Sequence, residues 1–114
     1  MALKTVTGLT TGAAATICTP SIHDLWVCIQ NVSNGNQVNL GPDGGTAYTD
    51  PYTNKVNVDP TTTATGLGEW LPAGQTVKYT LVPGKCVPIR AIMATGTTTL
   101  SISTNSQGTS FPTN

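Results

Sequence analysis

The residues best able to carry nucleophilic chemistry stand close together in the first quarter of the chain. Ser21, His23 and Asp24 lie within four consecutive positions, and His23 is the only histidine among the 114 residues. A Ser-His-Asp site needs a histidine that contacts both partners, which usually come from different parts of a fold. Side chains so near to one another in one loop do not easily reach that geometry. We interpret His23 as a solvated or turn-stabilising residue, and we expect the protein not to be an enzyme.

Carboxylates are the second class of candidate. The chain has five of them: Asp24, Asp43, Asp50, Asp59 and Glu69. Two carboxylates can cleave a glycosidic bond, but Asp43 precedes Gly, and Asp50 and Asp59 each precede Pro, where Asp typically hydrogen-bonds the turn backbone. Glu69 stands beside Trp70 and has no acidic partner nearby in the sequence. The calcium-loop and phosphate-loop patterns are also absent, so we predict no catalytic, cofactor-binding or metal-binding residue.

The cysteines argue for a protein made in a reducing compartment. Cys18, Cys28 and Cys86 are an odd number and form no Cys-x-x-Cys spacing, which disfavours both a disulfide framework and a zinc site. We interpret Cys28, which falls within a predicted strand, as a small buried hydrophobic residue. Three unpaired thiols are compatible with synthesis in a cytoplasm.

Composition excludes several classes of partner. Only 9% of the residues are charged, Lys plus Arg equals Asp plus Glu at five each, and 22 residues are Thr. The five cations are scattered, so the electrostatic attraction that nucleic-acid binding requires is missing. No apolar run approaches the ~20 residues of a membrane span, and no secretion signal is recognisable. A neutral surface suits a protein packed within an assembly, although an ordinary Thr-rich β domain would have the same composition.

The clearest structural signal is the stretch 25–41. Asn34-Gly35 favours a two-residue type I′ turn, which would place Ile29 opposite Leu40 in a hairpin. Alternation then puts one set of side chains on the apolar face of the ribbon: Leu25, Val27, Ile29, Val38 and Leu40. The opposite set lies on the other face: Trp26, Cys28, Gln30 and Asn39. The sequence predicts a hairpin here on both grounds.

Further short strands follow the same period of two. They are predicted at 13–18, 55–58, 75–82, 87–94 and 98–104, with turn residues between them. In the strand 75–82, Val77, Tyr79 and Leu81 share one face and Lys78 and Thr80 the other. Six to eight such strands predict one all-β domain over 1–114, an antiparallel β-sandwich of jelly-roll-like type. Residues 1–12 are expected to form an extended arm or a frayed edge strand, and residues 105–114 a loose tail.

Four aromatic residues are candidates for a contact surface. Trp26 lies opposite the aliphatic face of its strand, so it either fills a second packed layer or contacts a partner. Trp70 and the loop residues Tyr48 and Tyr52 either pack structurally or present rings to a sugar or another protein. We take Trp26, Tyr48, Tyr52 and Trp70 as the candidate interface.

Several segments together are similar to a known group of proteins. They are Ile-Gln-Asn-Val (29–32) with Val-Asn-Leu-Gly (38–41), the Trp-Leu-Pro-Ala-Gly-Gln turn (70–75), and the strands 76–81, 89–94 and 100–103. Over about residues 25–104 this pattern resembles small all-β accessory proteins of tailed bacteriophage virions, including capsid cement and decoration proteins. The 41–68 region has no counterpart.

The resemblance implies a non-enzymatic virion protein that stabilises the head through protein–protein contacts. Its partners would be the major capsid protein or other virion proteins, it would act as a homo-oligomer, and it would be assembled in the host cytoplasm onto the capsid surface. The scarcity of Lys on the expected edge strands favours pairing with a neighbour's sheet. Two alternatives stay open: a carbohydrate- or receptor-binding module, and a head–tail or tail component of similar fold.

Overall fold

Alternating β-branched and hydroxyl-bearing residues form two packed sheets. The computed structural model describes residues 2–20, 24–43, 49–50, 55–57, 60–61, 68–81 and 88–104. In these ranges eight strands make up the two larger sheets, and every pairing is antiparallel: β1 (Ala2–Val6), β2 (Ala15–Cys18), β3 (Trp26–Asn31), β4 (Val38–Leu40), β8 (Glu69–Leu71), β9 (Thr76–Thr80), β10 (Ile89–Met93) and β11 (Leu100–Thr104). Three shorter strands, β5 (Pro42–Asp43), β6 (Thr49–Asp50) and β7 (Lys55–Asn57), form a third sheet.

The second half of the chain pairs with the first half, strand by strand. Sheet A has the order β1-β11-β3-β9, and sheet B has the order β2-β10-β4-β8. The first four sandwich strands therefore pair with the last four in reverse sequence order: β1 with β11, β2 with β10, β3 with β9 and β4 with β8. The 41–68 region joins the two halves at the β4–β8 pair.

One apolar core lies between the sheets and draws on both of them. Its members include Ile17, Val27, Ile29, Val38, Leu40, Tyr79, Ile89, Met93, Leu100 and Ile102. The described ranges contain strands and turns but no helix. The predicted all-β antiparallel sandwich is thus confirmed, as is the alternation of Val77, Tyr79 and Leu81 against Lys78 and Thr80.

The predicted hairpin at 25–41 is wrong. β3 belongs to sheet A and β4 to sheet B, so Ile29 pairs with Val77 and Leu40 pairs with Ala91. A turn is present one residue earlier than predicted, with Ser33 and Asn34 at its centre, because the amide of Gly35 donates to the carbonyl of Val32 at 3.3 Å. The segment 32–37 carries the chain from sheet A to sheet B, and we call such a connection between the two sheets an arch.

Packing explains why the arch replaces the hairpin. The backbone of Gly35 does not adopt the left-handed conformation that a type I′ turn needs. A side chain at this position would come within 2.9 Å of the Thr98 and Val32 side chains. The segment that contains Thr98 therefore packs so closely against Gly35 that only glycine fits. Val27, Ile29, Val38 and Leu40 are fully buried as predicted, since inward alternation is the same in either arrangement.

Four inter-sheet connections meet at one end of the sandwich, which we call the arch end: 7–14, 32–37, 72–75 and 94–99. The amide of Gly74 donates to the carbonyl of Asn31 at 3.0 Å, and the amide of Asn36 donates to the carbonyl of Thr97 at 3.2 Å. These bonds join arches that are distant in sequence, and they hold the two sheets in one relative position.

A buried amide lies at the centre of the arch end. Asn31 is fully buried, and its Nδ2 donates to the carbonyls of Asn36 at 2.8 Å and Leu71 at 3.0 Å. Its Oδ1 accepts a hydrogen bond from the Thr98 hydroxyl. The side chain of one residue thus connects β3, two arches and the end of β8.

The strands at the edges of sheet A carry charge. β1 and β9 are the two outer strands, and Lys4 and Lys78 occupy their central positions. A lysine in the middle of an edge strand disfavours pairing with another chain. The expected scarcity of Lys on the edge strands is therefore wrong for sheet A, while pairing with a neighbour's sheet stays a prediction. The residues 2–6 themselves form an edge strand, the second of the two forms considered for the N-terminal segment.

Candidate functional site

The outer face of sheet A carries little charge. Strand alternation places nine described side chains on it: Thr5, Trp26, Cys28, Gln30, Thr76, Lys78, Thr80, Ser101 and Ser103. Lys78 is the only charged residue among these nine. Hydroxyl and amide groups supply most of the remaining polar atoms, so this face can form neutral hydrogen bonds across an interface.

Trp26 and Lys78 form the most distinctive contact on this face. Trp26 is half-buried, and the Nζ of Lys78 lies 5.1 Å from the centroid of its indole ring. A cation over an indole contributes about 0.5–1 kcal/mol at an exposed site. Cys28, directly opposite Lys78 in the strand register, is half-buried rather than fully buried as the sequence suggested. Trp26 therefore lies on the surface of the sandwich.

The outer face of sheet B is covered around Asn39 and Ile92. Trp70, Asn39 and Ile92 lie side by side on it, yet Asn39 is 0% and Ile92 only 7% exposed. The Nδ2 of Asn39 donates to the carbonyl of Thr61, and Pro60 is itself buried, which shows that the chain around 60–61 packs onto this face. The alternation of residues along the strand correctly predicts that Asn39 lies on the face away from the aliphatic side chains, but it does not predict that Asn39 is buried.

The predicted interface residues lie in separate places. Trp26 projects from sheet A and the half-buried Trp70 from sheet B, so the two indoles are on opposite outer faces of the sandwich. Tyr48 and Tyr52 lie outside the described residues, so their part in a contact surface stays a prediction. A single flat partner can engage Trp26 or Trp70 but not both.

The structure describes only some of the residues first considered for chemistry. Asp24 is fully buried, whereas Ser21, His23, Asp59 and Cys86 lie outside the described residues. Within the ranges that the structure describes, no three His, Cys, Asp or Glu side chains form a group suited to a metal ion. The same ranges hold no helix of the length and hydropathy needed to cross a bilayer.

Glu69 has a hydrogen-bond partner that the sequence does not predict. The hydroxyl of Tyr79 donates to its Oε1 at 2.6 Å, which joins the edge strand of sheet B to the edge strand of sheet A. Tyr79 is only 3% exposed, so a phenol from the core holds the carboxylate in place. Alternation predicted Tyr79 to be in the core, but nothing local in the sequence predicts that its hydroxyl reaches a residue of the other sheet.

A cleft of about 300 Å³ opens beside this contact, between β8 and β9. Its lining residues are Leu40, Glu69, Trp70, Leu71, Pro72, Gln75, Thr76 and Val77. The strand β8 was missed by sequence reasoning, because Leu71-Pro72-Ala73-Gly74 was interpreted only as a turn. That turn does follow, with Gly74 at a φ of 79° and the amide of Gln75 donating to the carbonyl of Pro72.

A second, more polar depression of about 330 Å³ lies at the arch end. It is lined by Thr7, Gly8, Val32, Asn34, Gly35, Thr97, Thr98 and Thr99. No charged side chain is among the described residues that line it. Its hydroxyl and amide groups can form hydrogen bonds.

Comparison with known proteins gives no match. No protein-family model, no curated protein and no solved structure is similar to this chain. Its function is therefore inferred from its own residues and geometry.

Proposed function

We propose that this chain is a non-enzymatic structural protein of a bacteriophage virion, a cement or decoration protein that stabilises the head by surface contact. The observation that carries the proposal is the outer face of sheet A, with eight uncharged side chains and one lysine stacked on an indole. The centres of protein interfaces are depleted in charged residues and enriched in aromatic ones. Burying this face against a capsid subunit would desolvate very little charge.

The connectivity of the sandwich is compatible with this function. The first four strands pair with the last four in reverse order, as in a long antiparallel hairpin rolled into two sheets. We infer that this is a jelly-roll connectivity, an arrangement that occurs in viral capsid and lectin domains. Because one fold serves many functions, the strand order supports the proposal only as an analogy.

The direct test is the protein content of purified phage particles. Mass spectrometry of virions from the phage that encodes the chain should find it in many copies, and particles that lack it should release their DNA at a lower temperature. Cross-links to the major capsid protein would place it on the head, whereas cross-links to portal or tail proteins would favour the tail alternative. Its absence from purified particles would refute the proposal.

A matched pair of variants tests whether sheet A makes the contact. Gln30 is exposed on the outer face of sheet A, and Gln37 is exposed in an arch. Gln30→Glu adds a carboxylate that the interface would have to desolvate, at a cost of several kcal/mol. We expect Gln30→Glu to reduce incorporation into particles at least tenfold, and Gln37→Glu to leave it unchanged. Equal incorporation of the two variants would show that a different surface makes the contact.

A carbohydrate- or receptor-binding module is the second candidate. The observation that favours it is the half-buried Trp70 on an edge strand of sheet B, because indole rings commonly present a flat surface to ligands. Binding on a glycan array that is lost in Trp70→Ala but retained in Trp26→Ala would support this candidate. The opposite dependence, with particle binding lost only in Trp26→Ala, would support the capsid contact.

A further inference from the structure

We propose that the cleft between β8 and β9 receives a lysine or arginine side chain from a partner protein. The cleft lies between edge strands of the two sheets, and it shares only Thr76 with the nine side chains named for the outer face of sheet A. Its volume of about 300 Å³ is at the lower end of the range for ligand pockets. That size suits one long side chain better than an extended segment.

The walls of the cleft supply apolar surface for an aliphatic stem. Val77 is half-buried at the margin of the core and Pro72 is exposed, whereas Leu40 and Leu71 line the cleft but are almost fully buried. Lysine and arginine bury their methylene groups along such surface while the charged head reaches a polar partner. The stem would cover the part of the core margin that the two edge strands leave accessible.

Glu69 supplies the complementary charge. It is the only charged residue among the described residues that line the cleft, and it alternates in β8 with Trp70, so that its side chain lies on the same side as Leu71. The hydrogen bond from the buried Tyr79 hydroxyl to Oε1 fixes the orientation of the carboxylate. Tyr79 is thus a positioning residue, and the exposed Gln75 and Thr76 add neutral polar groups at the rim.

The same features disfavour other occupants. An anion would be repelled by the carboxylate, and a purely apolar side chain would remove water from that carboxylate and supply no hydrogen bond in return. A cationic side chain with an aliphatic stem can pack against the apolar walls and be attracted to the carboxylate.

The test is an NMR titration of the full chain with blocked single amino acids. Nα-acetyl-arginine methylamide and its lysine counterpart are the probes, and Nα-acetyl-citrulline methylamide is the neutral control of nearly the same shape as arginine. We expect saturable shifts of the amides of residues 69–71 and 75–77 with the two cations. The citrulline compound should bind about fivefold more weakly or less, because charge-assisted hydrogen bonds are stronger than neutral ones.

Two conservative variants separate the charge from the structure. Glu69→Gln keeps an oxygen that can accept from Tyr79, so it should fold normally and bind the cations about fivefold more weakly. Tyr79→Phe keeps the ring and removes only the positioning hydrogen bond, so we expect a loss of about twofold to threefold.

Three results would overturn this inference: no saturable shift with the wild type, equal binding of arginine and citrulline, or unchanged binding in Glu69→Gln with a wild-type spectrum elsewhere. Because the titration uses the isolated chain, a negative result leaves incorporation into phage particles as a separate question. Conversely, cation binding by a chain that is absent from particles would refute the proposed virion function but support the proposal that the cleft receives a cationic side chain.

Discussion

The buried amide of Asn31 offers the sharpest test of how the two sheets are held together. Replacing Asn31 with Ala removes two N–H donors and one acceptor from the arch end. Asn36 is an exposed residue, so its carbonyl can bind water instead, but the carbonyl of Leu71 and the hydroxyl of Thr98 are buried. Each of these two buried groups costs about 1–3 kcal/mol when left without a partner, so we expect Asn31→Ala to lower the free energy of unfolding by roughly 2–6 kcal/mol.

The assay is thermal and urea unfolding monitored by the fluorescence of the two tryptophans. For a domain of this length, a loss of about 3 kcal/mol lowers the melting temperature by roughly 10 °C. Gln30→Ala is the matched control, because it removes an amide from the adjacent, exposed position of the same strand and should change stability by less than about 0.5 kcal/mol. If Asn31→Ala cost no more than Gln30→Ala, the network would contribute little and the reasoning would be wrong.

Asn31→Asp gives the same test a pH dependence. The substitution keeps the shape but sets a carboxylate against the carbonyls of Asn36 and Leu71, so burial raises the pKa of the new carboxyl above its unfolded value of about 3.9. A group with a raised folded pKa loses its stabilising contribution as the pH rises through that value. The deficit of Asn31→Asp relative to wild type should therefore be smaller at about pH 4 than at about pH 7. A deficit independent of pH would contradict the burial of this side chain.

Three further predictions concern the packing of the sheets and of the segment over sheet B. In urea unfolding, Gly68→Ala should destabilise the fold by at least about 2 kcal/mol. The backbone φ of Gly68 is 119°, and a Cβ at this position would come within 2.7 Å of the Asn39 side chain. Leu40→Ala should cost about 2–5 kcal/mol in the same measurement, because Leu40 is fully buried between the sheets. In native-state labelling followed by peptide mapping, Cys28 should react with a thiol reagent, while Cys18, which is 0% exposed, should react only on unfolding.

Each of these has a control and a contradicting outcome. Gly12 is exposed, does not have a positive φ, and has open space around it, so Gly12→Ala should be near neutral; equal effects at Gly12 and Gly68 would contradict the packing of Gly68 on Asn39. A cost below about 1 kcal/mol for Leu40→Ala would be too small for a core position. Equal native-state labelling rates for Cys18 and Cys28 would place them on equally accessible surfaces.

Local alternation predicted correctly which side chains of a strand point inward. Val77 and Tyr79 face the core and Lys78 faces solvent because successive residues of any strand point to opposite faces. Leu100 and Ile102 are buried for the same reason. This property belongs to the strand itself, so it can be deduced without knowing the neighbours.

The same alternation could not predict which strands pair. Asn34-Gly35 indicates a reversal of the chain, and a hairpin and an arch both reverse it with Ile29 and Leu40 turned inward. The choice between them depends on competition from distant strands: Ile29 pairs with Val77 in one sheet and Leu40 with Ala91 in the other. Such long-range pairings leave no trace in the residues around the turn.

Buried polar contacts were beyond prediction for a related reason. The hydroxyl of Tyr79 reaches Glu69 only because β9 and β8 border the same cleft from different sheets. Asn39 is buried only because the chain near Thr61 covers it. Neither residue carries a local signal, since the partner and the cover come from other elements.

Composition and period-two patterning alone determined that this chain is a charge-poor, all-β sandwich with defined inward faces. Both properties follow from the chemistry of short stretches of chain, in which hydrophobic and hydroxyl-bearing residues alternate. The tertiary structure decided the sheet to which each strand belongs, the separation of Trp26 and Trp70 onto opposite faces, and the cleft that contains Glu69. These depend on the free energy of packing two sheets against each other, which is a property of the whole chain.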